Sequence, residues 1–560
     1  MVNHYQKALK ITEEWTAYLW ENQIKESATI HNGAFTGNYL DQLARPKESI
    51  YTLNVLVSVY YCPDSKYYCN EELANRIELL LAYIERVQRL DGNFDLPSVN
   101  YYSAPDTAFM TQRLNTAYRV IDQYGQDERS TGLKNRLYQI IKKAGTGICQ
   151  GGFHTPNHRW VIAAALMMSY NLVGVELFKG IAEKYLAEGI DCNQDGEFSE
   201  RSTGIYNAVN DNALILLSEA TGRGEFLEYV RKNLEMIILF LEPDGSLYTG
   251  NSTRQDQASK FYPDNYYHLY LEMAVRFNNG RFAEMARKII EDQRYQLSLK
   301  NIADSFHIFM LRPALQDFTV KRELLPVNFK KHYRDSGVVR VRRGKMSITI
   351  TENSSEFLVF KVGQLRLYLK ICASFFSIGQ FNADQSDQRW RRASKTGRIK
   401  PTPDGYQMDF AASGCYYLPF EDLTAELEWG DMRYADRETS GEIKLSLQII
   451  IKEIEQGLEL SIKSAGCDRV PIKLEFGITP GCIVEGESYL LDGIAGQSMV
   501  AKSGQLRLQK DEDIIQLGPA FGRHRYTDYM RGSESPSKND FIVYFTDFTN
   551  IDHKITIVKR

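Results

Sequence analysis

No run of about 18 apolar residues occurs in the chain, and MVNHYQKALKITEEW at its start lacks the apolar stretch of a secretory leader. Neither a membrane-spanning helix nor a signal peptide is expected, and a cytoplasmic location is the expectation unless a leader has been removed. Paired cysteines are also missing. The eight cysteines (Cys62, Cys69, Cys149, Cys192, Cys372, Cys415, Cys467 and Cys482) form no C-x-x-C, which fits reduced structural thiols and argues against a disulfide framework or a cysteine zinc site. Nor is there an excess of one charge: 67 Lys plus Arg against 71 Asp plus Glu leaves −4, no general attraction for nucleic acid or an anionic membrane. An acidic ligand must therefore be met by a local basic site. What the chain has is 560 residues with 43% hydrophobic and 25% charged, a globular composition too long for one core, so two or more domains are expected.

From Asn70, EELANRIELLLAYIERVQ places Leu73, Ile77, Leu80, Ile84 and Val87 at helical spacing, with Asn70 as N-cap. Similar patterns recur over 108–124, 158–172, 174–189, 207–220, 224–241 and 264–292, so the first half reads as all-helical. After about Ser336 the period becomes two, in KMSITIT, LRLYLKI, KLSLQIII, GLELSIK, IKLEFGI, QLRLQ, FIVYFTDF and HKITIVK, as in an antiparallel β-sandwich. Pro313, Pro326 and the basic, non-periodic VNFKKHYRDSG mark the boundary. The division expected is a helical α/α toroid over 1–315, a linker over 316–335 and a β-sandwich over 336–560.

A weak repeat runs through the helical half: Asp91-Gly92-Asn93-Phe94, Gly151-Gly152-Phe153, Asp195-Gly196-Glu197-Phe198 and Asp244-Gly245-Ser246-Leu247 each follow a helix. Glycine supplies the left-handed turn that stops a helix. If each copy is a helical hairpin, the loops that follow converge at one end of a ring.

Those loops carry the polar and aromatic residues. The first offers Asn100, Tyr101, Tyr102, Asp106, Gln112 and Arg113, and tyrosines beside polar groups suit sugar rings. Asp106 reads equally as a capping residue after Pro105. The second, GGFHTPNHRWVIAAALMMSY, crowds His154, Asn157, His158, Arg159 and Trp160 at a helix start. His154 and His158 have metal-pair spacing, but Pro156 intervenes and the glutamate of a zincin is absent. Asn157 alternatively caps a helix beginning at His158. The third loop gives Glu200, Arg201, Tyr206 and Asn207, whose plainer readings are a surface ion pair and a core tyrosine. Asp191, Asn193, Asp195 and Gly196 mimic half of an EF-hand and leave a structural metal open, although Ser202 stands where calcium needs a glutamate. The fourth supplies Tyr248, Asn251, Arg254, Gln255, Asp256, Tyr266, Tyr267 and His268, with Arg254 suited to a carboxylate; a solvated loop is the rival reading.

GGFHTPNHRWVIAAAL and DGEFSERSTGIYNAV resemble the heparinase II/III-like polysaccharide lyases, whose toroid carries an Asn-His pair at a helix start and a later E-x-S-x-x-Y-like segment. The resemblance implies that Asn157 neutralises a uronate carboxylate and that Tyr206 is the catalytic tyrosine. Where that family often has G-H-x-H-x-D early in its β domain, this sequence has SIGQFNADQSD, with Gln380 and Asn382 in place of the histidines of a zinc site or a β-domain catalytic histidine.

Elimination beside a uronate carboxylate needs that carboxylate neutralised and the developing enolate stabilised, which Asn157 with His158 or Arg254 would supply. A phenol with an ordinary pKa of about 10 needs nearby positive charge, such as Arg201 or a protonated histidine, to act as base. Tyr206 or a histidine then takes the C5 proton, and Tyr206, His154 or His158 protonates the leaving oxygen. Tyr101, Tyr102, Asp106, Arg159, Trp160, Glu200, Arg201, Arg254, Gln255, Tyr267 and His268 are the candidate substrate contacts. No cofactor is required, and the partner expected is an acidic poly- or oligosaccharide rather than nucleic acid or membrane. Two rivals stand beside the lyase: a glycoside hydrolase using Asp106 with Asp195 or Glu200, and a non-catalytic carbohydrate-binding protein.

Overall fold

Thirteen helices among the described residues build the first part of the chain, and ten of them sort into two kinds by what they bury. They are α1 (His4–Glu21), α2 (Pro46–Tyr61), α3 (Glu71–Val87), α4 (Ala104–Tyr124), α5 (Glu128–Gln150), α6 (Pro156–Val173), α7 (Glu176–Ala187), α8 (Tyr206–Thr221), α9 (Glu225–Phe240), α10 (Tyr267–Phe277), α11 (Gly280–Glu291), α12 (Leu299–Ala303) and α13 (His307–Leu311). The computed structural model describes residues 3–35, 43–295, 299–352, 354–376, 379–382, 392–395, 397–421, 428, 431–491, 497–527 and 530–560.

Helices α2, α4, α6, α8 and α10 are buried nearly all round, as α6 is from Trp160 to Ser169. Helices α3, α5, α7, α9 and α11 bury one stripe, such as Leu133, Leu137, Ile140, Ile141 and Ala144 of α5. An all-round apolar helix belongs inside and a striped one outside. The first set pack in the order α2, α4, α6, α8, α10 as an inner layer, and the second cover them. Helix α13 packs on α2 and α4, and the turn after it (Pro313–Leu315) on α10, so the ring closes into an α/α toroid.

The repeated turns follow the outer helices α3, α5, α7 and α9, so the loops behind them lead into the inner helices at one end of the ring. Gly151 caps the end of α5, without a left-handed φ, while α3, α7 and α9 end before their glycines; Gly92 and Gly196 sit in left-handed turns at φ of 95° and 94°. A Cβ on Gly92 would lie 1.9 Å from the Lys143 carbonyl oxygen, and one on Gly196 2.6 Å from that of Lys232, so each turn is pressed onto a later outer helix.

A hairpin of β1 (Phe94–Leu96) and β2 (Asn100–Ser103) interrupts the otherwise helical half. The pattern read as one helix over 264–292 divides at Asn278, which is left-handed at φ 46°, and Asn279, whose side chain caps α11. A short polar break resets the helix without disturbing the apolar spacing on either side.

The second part is all β: β3 (Asn328–Tyr333), β4 (Val338–Arg343), β5 (Met346–Thr351), β6 (Leu358–Val362), β7 (Leu365–Ala373), β8 (Arg392–Lys395), β9 (Lys400–Thr402), β10 (Gly405–Tyr417), β11 (Thr439–Ile454), β12 (Gly457–Gly466), β13 (Pro471–Ile478), β14 (Ile483–Leu491), β15 (Ser498–Lys510), β16 (Asp513–Gly518), β17 (Phe541–Phe548) and β18 (Asp552–Lys559). Pairing runs β3-β4-β5-β6-β7-β13-β17-β15-β16-β18-β12-β11-β10-β8, antiparallel except between β15 and β17. Strand β15 pairs β17 near its start and β16 near its end, so the sheet folds back on itself as a sandwich around one core that includes Leu369, Leu447, Leu474 and Ile555.

The chain separates into one unit of residues 1–241 and 246–326, and another of 242–245 and 327–560. Strand β3 thus begins inside the stretch expected as linker. Among the described residues it pairs only with β4, and an edge strand is free to expose Lys330 and Lys331 rather than alternate. Among the described residues no helix is long and apolar enough to cross a membrane.

Candidate functional site

The site is built where α6 and α8 begin. Pro156 opens α6 after Thr155, and Asn157 stands in its first turn, fully buried. Asn157 is therefore not the cap of a helix beginning at His158. Its amide Nδ2 donates instead to Glu200 Oε2 at 2.7 Å and to Thr155 Oγ1 at 3.2 Å, while its Oδ1 is buried without a hydrogen bond. Glu200 is 3% exposed, and burial pushes its carboxyl above the usual range despite the opposing Asn157 bond and Arg254 charge.

Arg254 links this pair to the tyrosine. Its Nε lies 3.4 Å from Glu200 Oε1, and its guanidinium carbon 4.9 Å from the centre of the Tyr206 ring. Tyr206 is the first residue of α8, half-buried, and its N–H donates to Ser202 Oγ at 3.1 Å.

The loop before Tyr206 is held by a carboxylate. Fully buried Asp256 accepts from Ser202 Oγ (2.9 Å), Ser252 Oγ (2.6 Å) and the Gly204 N–H (2.8 Å). Thr253 adds two bonds to the Glu200 carbonyl, from its N–H at 3.2 Å and its hydroxyl at 3.0 Å. The third and fourth loops are thereby sewn together, and Arg254 is fixed over Tyr206.

The histidines form the other wall. Exposed His154 and buried His158 meet edge to face at 4.7 Å, and Phe109 lies 6.0 Å from His158. Burial, with the nearby His154, Arg254 and Lys47 adding to it, lowers the His158 pKa to about 4, so its ring is neutral at pH 7 and can accept a proton. Its Nδ1 is buried without a hydrogen bond.

Other candidates are placed elsewhere. Trp160 is fully buried and spends its indole N–H on Asp191 Oδ1 at 2.7 Å, and Tyr267 is a core residue bonded to His4 at 3.2 Å; neither offers a surface to substrate. Arg159 pairs with Glu188 (3.0 Å) and Asp191 (3.3 Å) and stacks on Trp160. Arg201 faces Glu197 at 3.8 Å, so the cation over Tyr206 is Arg254, not Arg201. Asp106 exchanges hydrogen bonds with Ser103, the N-cap of α4, and accepts from Asn100 at 2.9 Å, the capping reading of that residue. Tyr101 and Tyr102 are exposed on β2, with Arg89 stacked on Tyr102. Gln255 is exposed, and His268 bonds Asn212 at 3.2 Å deep in the ring, where burial lowers its pKa to about 3.

The side chains of the half EF-hand are engaged within the protein. Asp191 serves Trp160 and Ser199, and Asn193 Oδ1 accepts from the Glu197 N–H at 2.9 Å. Among the described residues no group of three His, Cys, Asp or Glu is arranged to hold a metal. Gln380 and Asn382 are structural: Gln380 accepts from the Glu534 N–H at 2.9 Å, and Asn382 donates to the Thr351 and Ser354 carbonyls. Residues 377, 378 and 383–387 of that segment lie outside the described ones.

Sequence reasoning passed over Lys47, in the first turn of α2, whose ammonium lies 4.9 Å from the centre of the Phe109 ring. Helix α2 is buried nearly all round and rich in β-branched residues, so it gives no helical stripe to notice.

No family model matches the chain, and no curated protein matches its sequence. Solved structures do. A Paenibacillus xanthan lyase superposes with a TM-score of 0.54 at 11% identity, over 99% of this chain and 57% of its own. Heparinase III superposes with a TM-score of 0.50 at 12% identity, over 92% of this chain and 76% of its own. At such identities the likeness is one of fold: the chain has the toroid and sandwich architecture of polysaccharide lyases.

Proposed function

We propose that the chain is a lyase cleaving uronic-acid-containing poly- or oligosaccharides by β-elimination. The observation that carries this reading is the contact series Asn157–Glu200–Arg254–Tyr206 at the start of two inner helices, with a neutral histidine beside it. The fold shared with xanthan lyase and heparinase III supports it.

In elimination the C5 proton leaves to a base, C4=C5 forms, the C4–O4 bond breaks and O4 takes up a proton. Tyr206 is the proton carrier in this reading. The Arg254 guanidinium over its ring stabilises negative charge as it develops on the phenol oxygen, and neutral His158 is the second acceptor. Asn157 meets the growing enolate charge by turning one amide N–H from Thr155 or Glu200 to the substrate carboxylate.

One observation favours a second reading. The raised carboxyl of Glu200 would suit the acid of a glycoside hydrolase. Screening uronate-rich glycans for ultraviolet absorbance separates the two, because elimination creates a conjugated double bond and hydrolysis does not. Reducing ends released without absorbance would favour the hydrolase.

A further inference from the structure

The cations around the site differ in whether a carboxylate already holds them. Arg254 faces Glu200, Arg159 pairs with Glu188 and Asp191, Arg201 faces Glu197, and Arg89 pairs with Asp95. Unlike these, and like Arg113 over the Tyr51 ring, Lys47 has no such partner among the described residues. It is partly buried at the start of α2, its ammonium sits against the Phe109 face that neighbours His158, and no carboxylate of the described residues comes within ion-pair distance of it. Burial opposes its charge, but Tyr51, Asp106, Glu48 and Tyr206 outweigh it and leave the pKa raised, so it is a cation at neutral pH.

A partly buried cation that carboxylates sustain only from beyond ion-pair distance has room for a direct partner from outside. A ring face attracts an ammonium but does not neutralise it. The same place has a need of its own: Asn157 and Arg254 are already engaged by Glu200, so an acidic sugar entering beside them brings a second negative charge that they cannot balance. We propose that Lys47 receives the carboxylate of the substrate and sets the preference of the site for acidic over neutral sugar. This rests on the saccharide reading of the site and adds to it the residue that selects a uronate. A lysine suits the task, being a compact charge on a flexible stem that can follow a carboxylate.

The test is equilibrium binding of uronate tetrasaccharides (from heparan sulfate, chondroitin, xanthan and polygalacturonate) and of their carboxyl-reduced counterparts. It uses the full chain in a Tyr206→Phe background, which limits turnover, with Lys47, Lys47→Met or Lys47→Arg. Circular dichroism confirms that each variant is folded. The expected result is at least tenfold tighter binding of an acidic probe over its reduced counterpart with Lys47, most of that ratio lost in Lys47→Met, and much of it kept in Lys47→Arg. A folded Lys47→Met that keeps the ratio, or no preference with Lys47 present, overturns the proposal. Elimination assayed separately on the unaltered chain distinguishes the two failures: a Lys47-dependent preference without any elimination sinks the lyase reading alone, and elimination with an unchanged ratio in Lys47→Met sinks only the role of Lys47.

Discussion

Tyr206 and Asn157 are joined through Glu200 and Arg254 but are assigned different work, and substitution separates them. Tyr206→Phe keeps the ring beneath Arg254 and removes only the exchangeable proton, so turnover is expected to fall severely with substrate affinity largely retained. Asn157→Ala is expected to lower turnover by roughly 10²- to 10³-fold, the loss typical of one charge-stabilising donor, when single-turnover rates are measured. Near-normal elimination by Tyr206→Phe would move the proton-carrying role to His158. That histidine has a prediction of its own. With its pKa lowered to about 4, it should show no titration between pH 5.5 and 8 by NMR, and a midpoint near 6.5 would contradict its burial. The sign for stability follows. Because the unfolded chain takes up the proton first, His158 costs the fold nothing above its ordinary pKa and destabilises it as pH falls from about 6.5 towards 4, by up to ~1.4 kcal/mol per pH unit.

Turns and helices are the scale at which the site is positioned. Gly92 and Gly222 both have positive φ, but a Cβ at Gly92 strikes the Lys143 carbonyl while one at Gly222 meets open space. Gly222→Ala should therefore cost only the left-handed strain of ~1–2 kcal/mol, and Gly92→Ala distinctly more, by urea unfolding. Equal costs would mean that the turn is not pressed onto α5. The same turns explain what the sequence reveals of the site. The repeats point to the loops holding Asn157, Glu200, Tyr206 and Arg254 because each precedes a buried inner helix, a local and regular feature. The side chains that fix those loops are not local: Asp256 gathers Ser202, Ser252 and Gly204, and that convergence has no signature in spacing. Helix α2 with Lys47, and the charged edge strand β3, are likewise hidden, since one lacks a helical stripe and the other lacks alternation.

Across the whole molecule, the change of hydrophobic period from helical to alternating separates a toroid from a sandwich, and that is legible because inner and outer helices and paired strands impose different burial on successive residues. The chemistry is assigned to the helical unit, where the Asn157, Glu200, Tyr206 and Arg254 side chains all lie. The most direct test of that assignment is to follow ultraviolet absorbance and new reducing ends together while the full chain acts on uronate-containing glycans. The account predicts that the two rise in step, one conjugated double bond for each bond cleaved, and that both collapse in Tyr206→Phe. Reducing ends appearing without absorbance would contradict it.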